Sequence, residues 1–165
     1  MTDLHDPVAL RDREDVEYRT EAVDATEGEC DYFAEIAGMA AVGVTSEDGV
    51  LLMESPHGWR LPYGPVQPDE DWFAVGERIA SALTGRDATI AGVERANRIT
   101  HRFDGRDATT HDLVLRADAI PERSTAADPS FGPWDDLTVD WFDRVPEDAY
   151  HDHEDAVSDI RVFLG

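Results

Sequence analysis

The feature that most restricts how this chain can fold is a turn-rich loop leading directly into an amphipathic helix, within residues 64–85. The helix is expected from about residue 69 to residue 84. Asp69 can cap its N-terminus and Gly85 can end it. A stripe of apolar residues at helical spacing predicts that one helix face is core or an interface: Trp72, Val75, Ile79 and Leu83.

Turn residues and apolar runs predict the other elements. They are a helix at 7–24, strands at 30–36, 39–45 and 50–54, strands at 89–100 and 111–119, a strand at 137–142 and a helix at 151–163. The Asp-Gly pair before Val50 predicts a hairpin there, and Asp104-Gly105 predicts a second turn. The order predicts an α/β fold, with an N-terminal helical or extended arm at 1–36 and one domain at 37–165.

Within this segment, Gly64, Glu70, Arg78 and Gly85 have five, seven and six residues between them. This spacing resembles the Nudix box of the Nudix hydrolases. The segment before the box, residues 59–64, also resembles that family. So do the later strand and the residues that follow it, at 139–146. The resemblance covers residues 37–163 and implies an α/β/α sandwich with a mixed β-sheet. It also implies that Glu70 and Arg78 form a structural brace between the loop and the helix.

The box departs from the family at its metal positions, because Ile79, Ala82 and Leu83 stand where the family has glutamates. These three residues share one helical face and offer no oxygen ligand to Mg²⁺. Glu70 and Glu77 point away from that face. We therefore expect no catalytic residue and no metal or other cofactor. Mg²⁺ would bind only if carboxylates outside the box replaced the missing ones: Glu54, Glu94, Glu122, Asp135 and Asp136.

A small phosphorylated ligand is the expected partner, because the arginine fork suits phosphate and several arginines lie near the predicted cleft. The residues expected to bind it are Arg60, Gly64, Glu94 and Arg98, with Arg95 and Arg102 nearby. Charge balance with neighbouring carboxylates is the alternative role for these arginines.

The charge composition is extreme, with 37 acidic residues against 14 basic ones, a net charge of −23 and no lysine. Molar salt screens such self-repulsion, so the composition is typical of halophiles, and an archaeal halophile is the expected source. Nucleic acid is not an expected partner, since no basic stripe exists. No apolar run or leader predicts a membrane partner, so we expect a cytoplasmic protein. The single cysteine, Cys30, is expected to be half-buried.

Three functions remain open from the sequence. The first is a binding domain for a nucleotide-like or phosphorylated molecule, without standard hydrolysis. The second is an active pyrophosphohydrolase of nucleoside-diphosphate-linked substrates. The third is a non-catalytic interaction domain that forms a homodimer through the apolar helix face. His101 and His111 could pair across their turn, but a solvated or structural role is the default for them. A metal-ligand role is not expected for His151 and His153.

Overall fold

Two β-sheets and three α-helices are formed by the part of the chain that the computed structural model describes, which is residues 3–47, 49–126, 129, 137–149 and 154–164. The elements are a 3-10 helix at Pro7–Asp12, β1 at Glu17–Asp24, α1 at Glu27–Glu35, β2 at Gly38–Gly43, β3 at Thr45–Ser46, β4 at Gly49–Ser55, β5 at Gly58–Arg60, β6 at Tyr63–Val66, α2 at Trp72–Thr84, β7 at Ile90–Phe103, β8 at Arg106–Ala117, β9 at Val139–Phe142 and α3 at Glu154–Leu164. None of these helices is both long and apolar enough to cross a membrane.

The larger sheet, called the main sheet below, has five strands in the order β1-β7-β8-β2-β6. The pairs β1–β7 and β8–β2 are parallel, whereas β7–β8 and β2–β6 are antiparallel. The predicted mixed sheet is therefore confirmed. The Asp104-Gly105 turn joins β7 to β8 as expected, and both of its residues have positive φ.

Helices cover both faces of the main sheet, because successive side chains of a strand point to opposite faces. On β7, Ala96 is fully buried in the same apolar cluster as Trp72 and Leu83 of α2. The neighbouring Arg95 points to the other face, where it contacts Asp159 of α3. The ring of Phe33 in α1 stacks on His101 on that second face as well. This arrangement confirms the α/β/α sandwich.

A smaller sheet forms from β3, β4 and β5, with β9 paired to the other edge of β4. The predicted hairpin is present only in part: Thr45 and Ser46 pair with Val50 and Gly49. The preceding run belongs to β2 in the main sheet. Helix α3 packs Val157 and Ile160 into a cluster with the buried side chains of β4.

The helix and the strand predicted for the N-terminal arm are wrong. A 3-10 helix ends at Asp12, and residues 17–24 form β1, which pairs in parallel with β7. Residues 27–35 are helix α1, where a strand was predicted from residue 30. A capping box between Thr26 and Glu29 starts this helix, and that pattern was visible in the sequence. The division at residue 36 stays a prediction.

Cys30 was expected to be half-buried, but it is only 1% exposed, because it lies on the side of α1 that faces β7, with its Sγ 4.0 Å from the carbonyl oxygen of His101. Helix α2 begins later than predicted, because Asp71 rather than Asp69 is its cap. The Asp71 carboxylate accepts a hydrogen bond from the backbone N–H of Phe73 at 3.1 Å. The helix ends as predicted at Gly85, which has a left-handed conformation with φ 72°.

Gly85→Ala should lower the free energy of unfolding by about 1–2 kcal/mol, because a side chain disfavours the left-handed backbone. The nearest heavy atom to the added Cβ would lie at 3.5 Å, so backbone strain is the whole cost. The matched control is Gly28→Ala in exposed helix α1, which should raise stability by up to about 1 kcal/mol. Urea unfolding in 2 M KCl measures both, and equal effects would contradict the assigned helix end.

Candidate functional site

Glu70 holds the loop before α2 in place through two contacts. Its Oε1 accepts a hydrogen bond from the backbone N–H of Gln67 at 3.0 Å, and its Oε2 accepts one from Nη1 of Arg78 at 3.3 Å. The Arg78 side chain is 62% exposed, so the ion pair contributes at most about 1 kcal/mol. The backbone contact therefore does more than the ion pair to shape the loop.

The helix face that would carry metal ligands is closed. Ile79 is 2% exposed and Leu83 is 0% exposed, and both belong to the main apolar cluster. Ala82 is partly buried and has no polar atom in its side chain. Mg²⁺ requires oxygen ligands, usually carboxylates and water. The residues present on this face do not fit a divalent metal.

Carboxylates from other segments do not replace the missing ligands within the described part of the chain. No group of three or more His, Cys, Asp or Glu side chains there could hold a metal ion. Glu94 forms an ion pair with Arg116, and Glu54 and Glu122 are exposed. The other two predicted substitutes, Asp135 and Asp136, lie outside the described residues, as do His151 and His153.

The N-terminal segment packs against the start of α2. The backbone N–H of Leu4 donates to Oδ1 of Asp71, and the N–H of Trp72 donates to the carbonyl of Leu4, both at 2.8 Å. Leu10 and Val16 are buried in the same cluster as Ile79. The apolar stripe of α2 is thus core, which was one of its two interpretations, and the homodimer stays a prediction.

A cavity of about 110 Å³, called the sheet cavity below, lies on the face of the main sheet that carries α3. The strand register places two rows of side chains on its floor. The first row is Arg19, Asn97, Asp112 and Met39, and the second is Arg95, Val114, Ala41 and Tyr63. Arg60 from β5 and Asp159 from α3 complete its polar lining.

Arg95 links three elements at the edge of the cavity. Its Nε donates to Oε2 of Glu17 in β1 at 2.8 Å, and its Nη1 donates to Oδ1 of Asp159 at 2.7 Å and to Oγ of Ser158 at 3.1 Å. Its side chain is only 13% exposed. Buried charge-assisted hydrogen bonds of this kind are among the stronger polar contacts in proteins, so Arg95 fixes α3 against the sheet.

The sheet cavity is lined by charges of both signs. Three arginines and two aspartates line it, in a chain whose net charge is −23. The guanidinium of Arg60 lies 3.9 Å from the ring centroid of Tyr63, a cation–π contact that orients the arginine. The lining therefore offers polar donors and acceptors beside the apolar side chains of Met39, Ala41 and Val114.

The structure brings only one of the four predicted ligand residues to this cavity, which is Arg60. Arg98 points to the other face of β7, opposite His111 in the register. Gly64 is buried in β6, where it pairs with Ala40, and Glu94 is bound to Arg116. Ligand binding by these residues stays a prediction.

Three residues of the cavity lining were not predicted from the sequence: Arg19, Asn97 and Asp112. Arg19 was hidden because its segment was predicted to be helical. The spacing of Arg95 and Asn97 does indicate one strand face, since residues two apart on a strand share a side. Which residues of β1 and β8 lie beside them depends on the register, which the spacing does not give.

His101 and His111 do not pair with each other, because they point to opposite faces of the main sheet, and each has a structural contact of its own. His101 contacts Oγ1 of Thr110 at 2.9 Å, and His111 contacts the hydroxyl of Tyr18 at 2.9 Å. Burial lowers the pKa of His101. Burial also lowers the pKa of His111, helped by the positive charge of Arg98. Both pKa values lie below the ordinary 6.5, which favours neutral rings in the folded state.

The sequence matches no protein-family model and no curated protein. The structure is similar to a NUDIX-family hydrolase from Clostridium perfringens, with a TM-score of 0.52 and 13% identity over 78% of this chain and 98% of that chain. It is also similar to the dihydroneopterin triphosphate pyrophosphohydrolase of E. coli, with a TM-score of 0.55 and 16% identity over 79% of this chain and 96% of that chain. A NUDIX hydrolase from Nitrosomonas europaea has a TM-score of 0.50 and 16% identity, over 78% of this chain and 70% of that chain. At such identities these similarities show the fold alone, and that fold is the Nudix fold.

Ile79→Glu should destabilise the protein by about 3–5 kcal/mol, because it places an unpaired carboxylate in a closed apolar cluster. The matched control is Ala74→Glu, on the exposed side of the same helix, which should change stability by less than about 0.5 kcal/mol. Urea unfolding in 2 M KCl compares the two variants. An Ile79→Glu protein as stable as the control would show that this face is open.

Stability should fall as the pH is lowered from 7.5 to 5.5, because the unfolded chain takes up protons at His101 and His111 that the folded chain resists. The double variant His101→Gln, His111→Gln should show a shallower fall. The control is His5→Gln, whose side chain is 63% exposed. Urea unfolding at each pH in 2 M KCl gives the slopes, and identical slopes in all three proteins would contradict the burial argument.

Proposed function

We propose that the protein is a Nudix-fold domain that binds a phosphorylated small molecule in the sheet cavity, without metal-dependent hydrolysis on α2. The observation that carries the proposal is the convergence of Arg19, Arg60 and Arg95 on one cavity. They come from β1, β5 and β7, which are far apart in the sequence.

Phosphate is the anion that these three arginines suit best. An arginine guanidinium presents a planar fork of donors that can bind two phosphate oxygens at once. The protein as a whole repels anions, since its net charge is −23, so an anionic ligand needs a local concentration of donors. Partly buried donors also keep their strength in high salt better than exposed ones do.

The closed face of α2 supports binding without standard hydrolysis. In metal-dependent hydrolysis the metal activates water and neutralises phosphate charge, and both roles need carboxylate ligands. Ile79 and Leu83 provide packing to the core instead. A protein that retains the loop shape without the ligands is better suited to holding a ligand than to cleaving it.

The similar structures support the class of ligand. The E. coli protein with a TM-score of 0.55 is named for action on a triphosphate. A phosphorylated small molecule is therefore within the chemistry that this fold accommodates. The proposal keeps that ligand class and replaces the reaction by binding.

Arg19→Gln should weaken the binding of ADP-ribose, ATP or ribose 5-phosphate by about tenfold or more, because a hydrogen bond to a charged group contributes roughly 1.5–3 kcal/mol. Arg19 is exposed on β1, so the substitution should leave the fold intact. Isothermal titration calorimetry in 2 M KCl measures the change. Arg86→Gln is the control, since it removes the same charge from an exposed site after α2.

Two outcomes would contradict the proposal. The first is the absence of binding for all three phosphorylated probes. The second is an equal loss in both arginine variants, which would indicate a nonspecific effect of charge. Phosphate release that depends on Mg²⁺ in the same samples would favour the hydrolase alternative over binding alone.

A further inference from the structure

Strand β1 forms one edge of the main sheet, and β7 is the strand that pairs with it among the described residues. The pairing runs over all 8 residues of β1 without a register shift. Every residue of the strand except Tyr18 is exposed. Sheet edges are commonly protected by proline, lysine or a β-bulge, and β1 has none of these. Its outer edge is therefore long, regular and able to pair with another strand.

The direction of the backbone groups shows which residues of β1 face outward. The N–H of Ala25, directly after the strand, donates to the carbonyl of Arg102 in β7 at 2.9 Å. Because backbone groups alternate in direction along a regular strand, those of Tyr18, Thr20 and Ala22 point away from β7. Within the described part of the chain these outward groups form no backbone hydrogen bond. They are a row of donors and acceptors that an antiparallel strand can satisfy.

The side chains of β1 make the strand complementary to a second copy of itself. Two copies related by a two-fold axis pair in antiparallel fashion, so that each residue lies opposite a residue of the same face. With the axis beside Thr20, Arg19 of each copy lies opposite Glu21 of the other. This pair is of the non-hydrogen-bonded kind, in which the side chains are closer together. Unlike charges directly opposite each other stabilise a strand pair.

The order of charges favours this register over its neighbours. An axis beside Glu21 pairs as much of the strand, but it places Glu21 opposite its own copy. An axis beside Arg19 places Arg19 opposite itself and Glu17 opposite Glu21. An axis beside Tyr18 opposes unlike charges but leaves the second half of β1 unpaired. Only the register centred on Thr20 combines nearly full pairing with opposite charges.

The contacts of Arg19 and Glu21 within their own chain are compatible with this pairing. Oε1 of Glu21 accepts a hydrogen bond from Nδ2 of Asn97 at 3.0 Å, and Arg19 also has an interaction within the chain. A carboxylate has about four acceptor sites and a guanidinium has five N–H donors, so each group can take part in more than one contact. The complementarity depends on the signs of the charges and their order along the strand.

Exposed apolar side chains are concentrated around β1. Among the described residues, the large apolar side chains that are exposed are Val8, Val23 and Tyr32. Val23 lies in β1 itself, and the other two lie in the 3-10 helix before it and in α1 after it. Apolar area removed from water adds to the stability of an association. The elements beside β1 can therefore add apolar contact to the pairing of the backbones.

We infer that two copies of this chain form a dimer by antiparallel pairing of their β1 strands, centred on Thr20, which joins the two main sheets into one. The net charge of −23 on each copy opposes association in dilute buffer, whereas molar salt screens that repulsion. The inference does not rest on the proposed function. Thr20 lies on the opposite face of β1 from Arg19, so a variant at Thr20 tests the dimer without changing the lining of the sheet cavity.

The first test is size-exclusion chromatography with light scattering in 2 M KCl. The wild type should have twice the chain mass of 18.3 kDa. Thr20→Pro should be a monomer, because it removes an N–H that pairs across the dimer and not one that bonds β7. Proline is tolerated on an edge strand where the N–H faces solvent. A monomeric wild type, or a dimeric Thr20→Pro, would overturn the inference.

The matched control is Asp24→Pro, at another position of β1 whose N–H points outward. In the register centred on Thr20, Asp24 lies opposite Val16, which is outside the strand. Its N–H is therefore not used between the copies, and Asp24→Pro should remain a dimer. Circular dichroism in the same buffer shows whether both proline variants are folded.

A second test uses the charges and does not depend on proline. Arg19→Glu and Glu21→Arg each place like charges opposite each other in the dimer, so each should raise the dissociation constant of the dimer by about tenfold. An equal mixture of the two variants restores unlike charges at both positions and should dimerise as the wild type does. The measurement is made at the lowest KCl concentration at which all three proteins stay folded. Unchanged dimers of the single variants, or a mixture that stays monomeric, would overturn the register.

Discussion

The burial of α2 against the main sheet is the contact on which the rest of this structure depends. Trp72, Phe73 and Leu83 are almost fully removed from water, and each such side chain contributes roughly 1.5–3 kcal/mol. Their packing fixes the angle of the helix and hence the loop that Glu70 shapes before it. The same packing buries Ile79 and Leu83, two of the positions at which the resemblance to the Nudix box would place metal ligands.

The second face of the main sheet has the opposite character. It carries polar and charged side chains near α3, and Arg95 joins the sheet to that helix through a part-buried ion pair with Asp159. A group held in this way cannot move without leaving carboxylates without their partner, which is costly in a partly buried setting. This contact holds Arg95 and Asp159 in fixed positions at the edge of the sheet cavity.

Much of the fold followed from local patterns. The cap of α2, its end at Gly85 and the turn at Asp104-Gly105 depend on residues that are close in sequence, and all three were predictable apart from a shift of the cap by two residues. The N-terminal elements were not predictable from local patterns. Residues 17–24 were predicted to be helical because a weak local pattern allowed it, whereas pairing with β7, more than 70 residues away, makes them a strand. Local propensity is a weak guide wherever a distant partner is available.

By itself, the sequence determined that α2 exists, where it ends and that it carries an apolar stripe, since these properties belong to single residues and their spacing along one helix. Only the tertiary structure decided which side chains share the sheet cavity. Arg60 lines that cavity, whereas Arg98 lies on the opposite face of β7. The physical reason is that strand register and face assignment arise from pairing between distant segments, and a shift of one residue moves a side chain to the other side of the sheet.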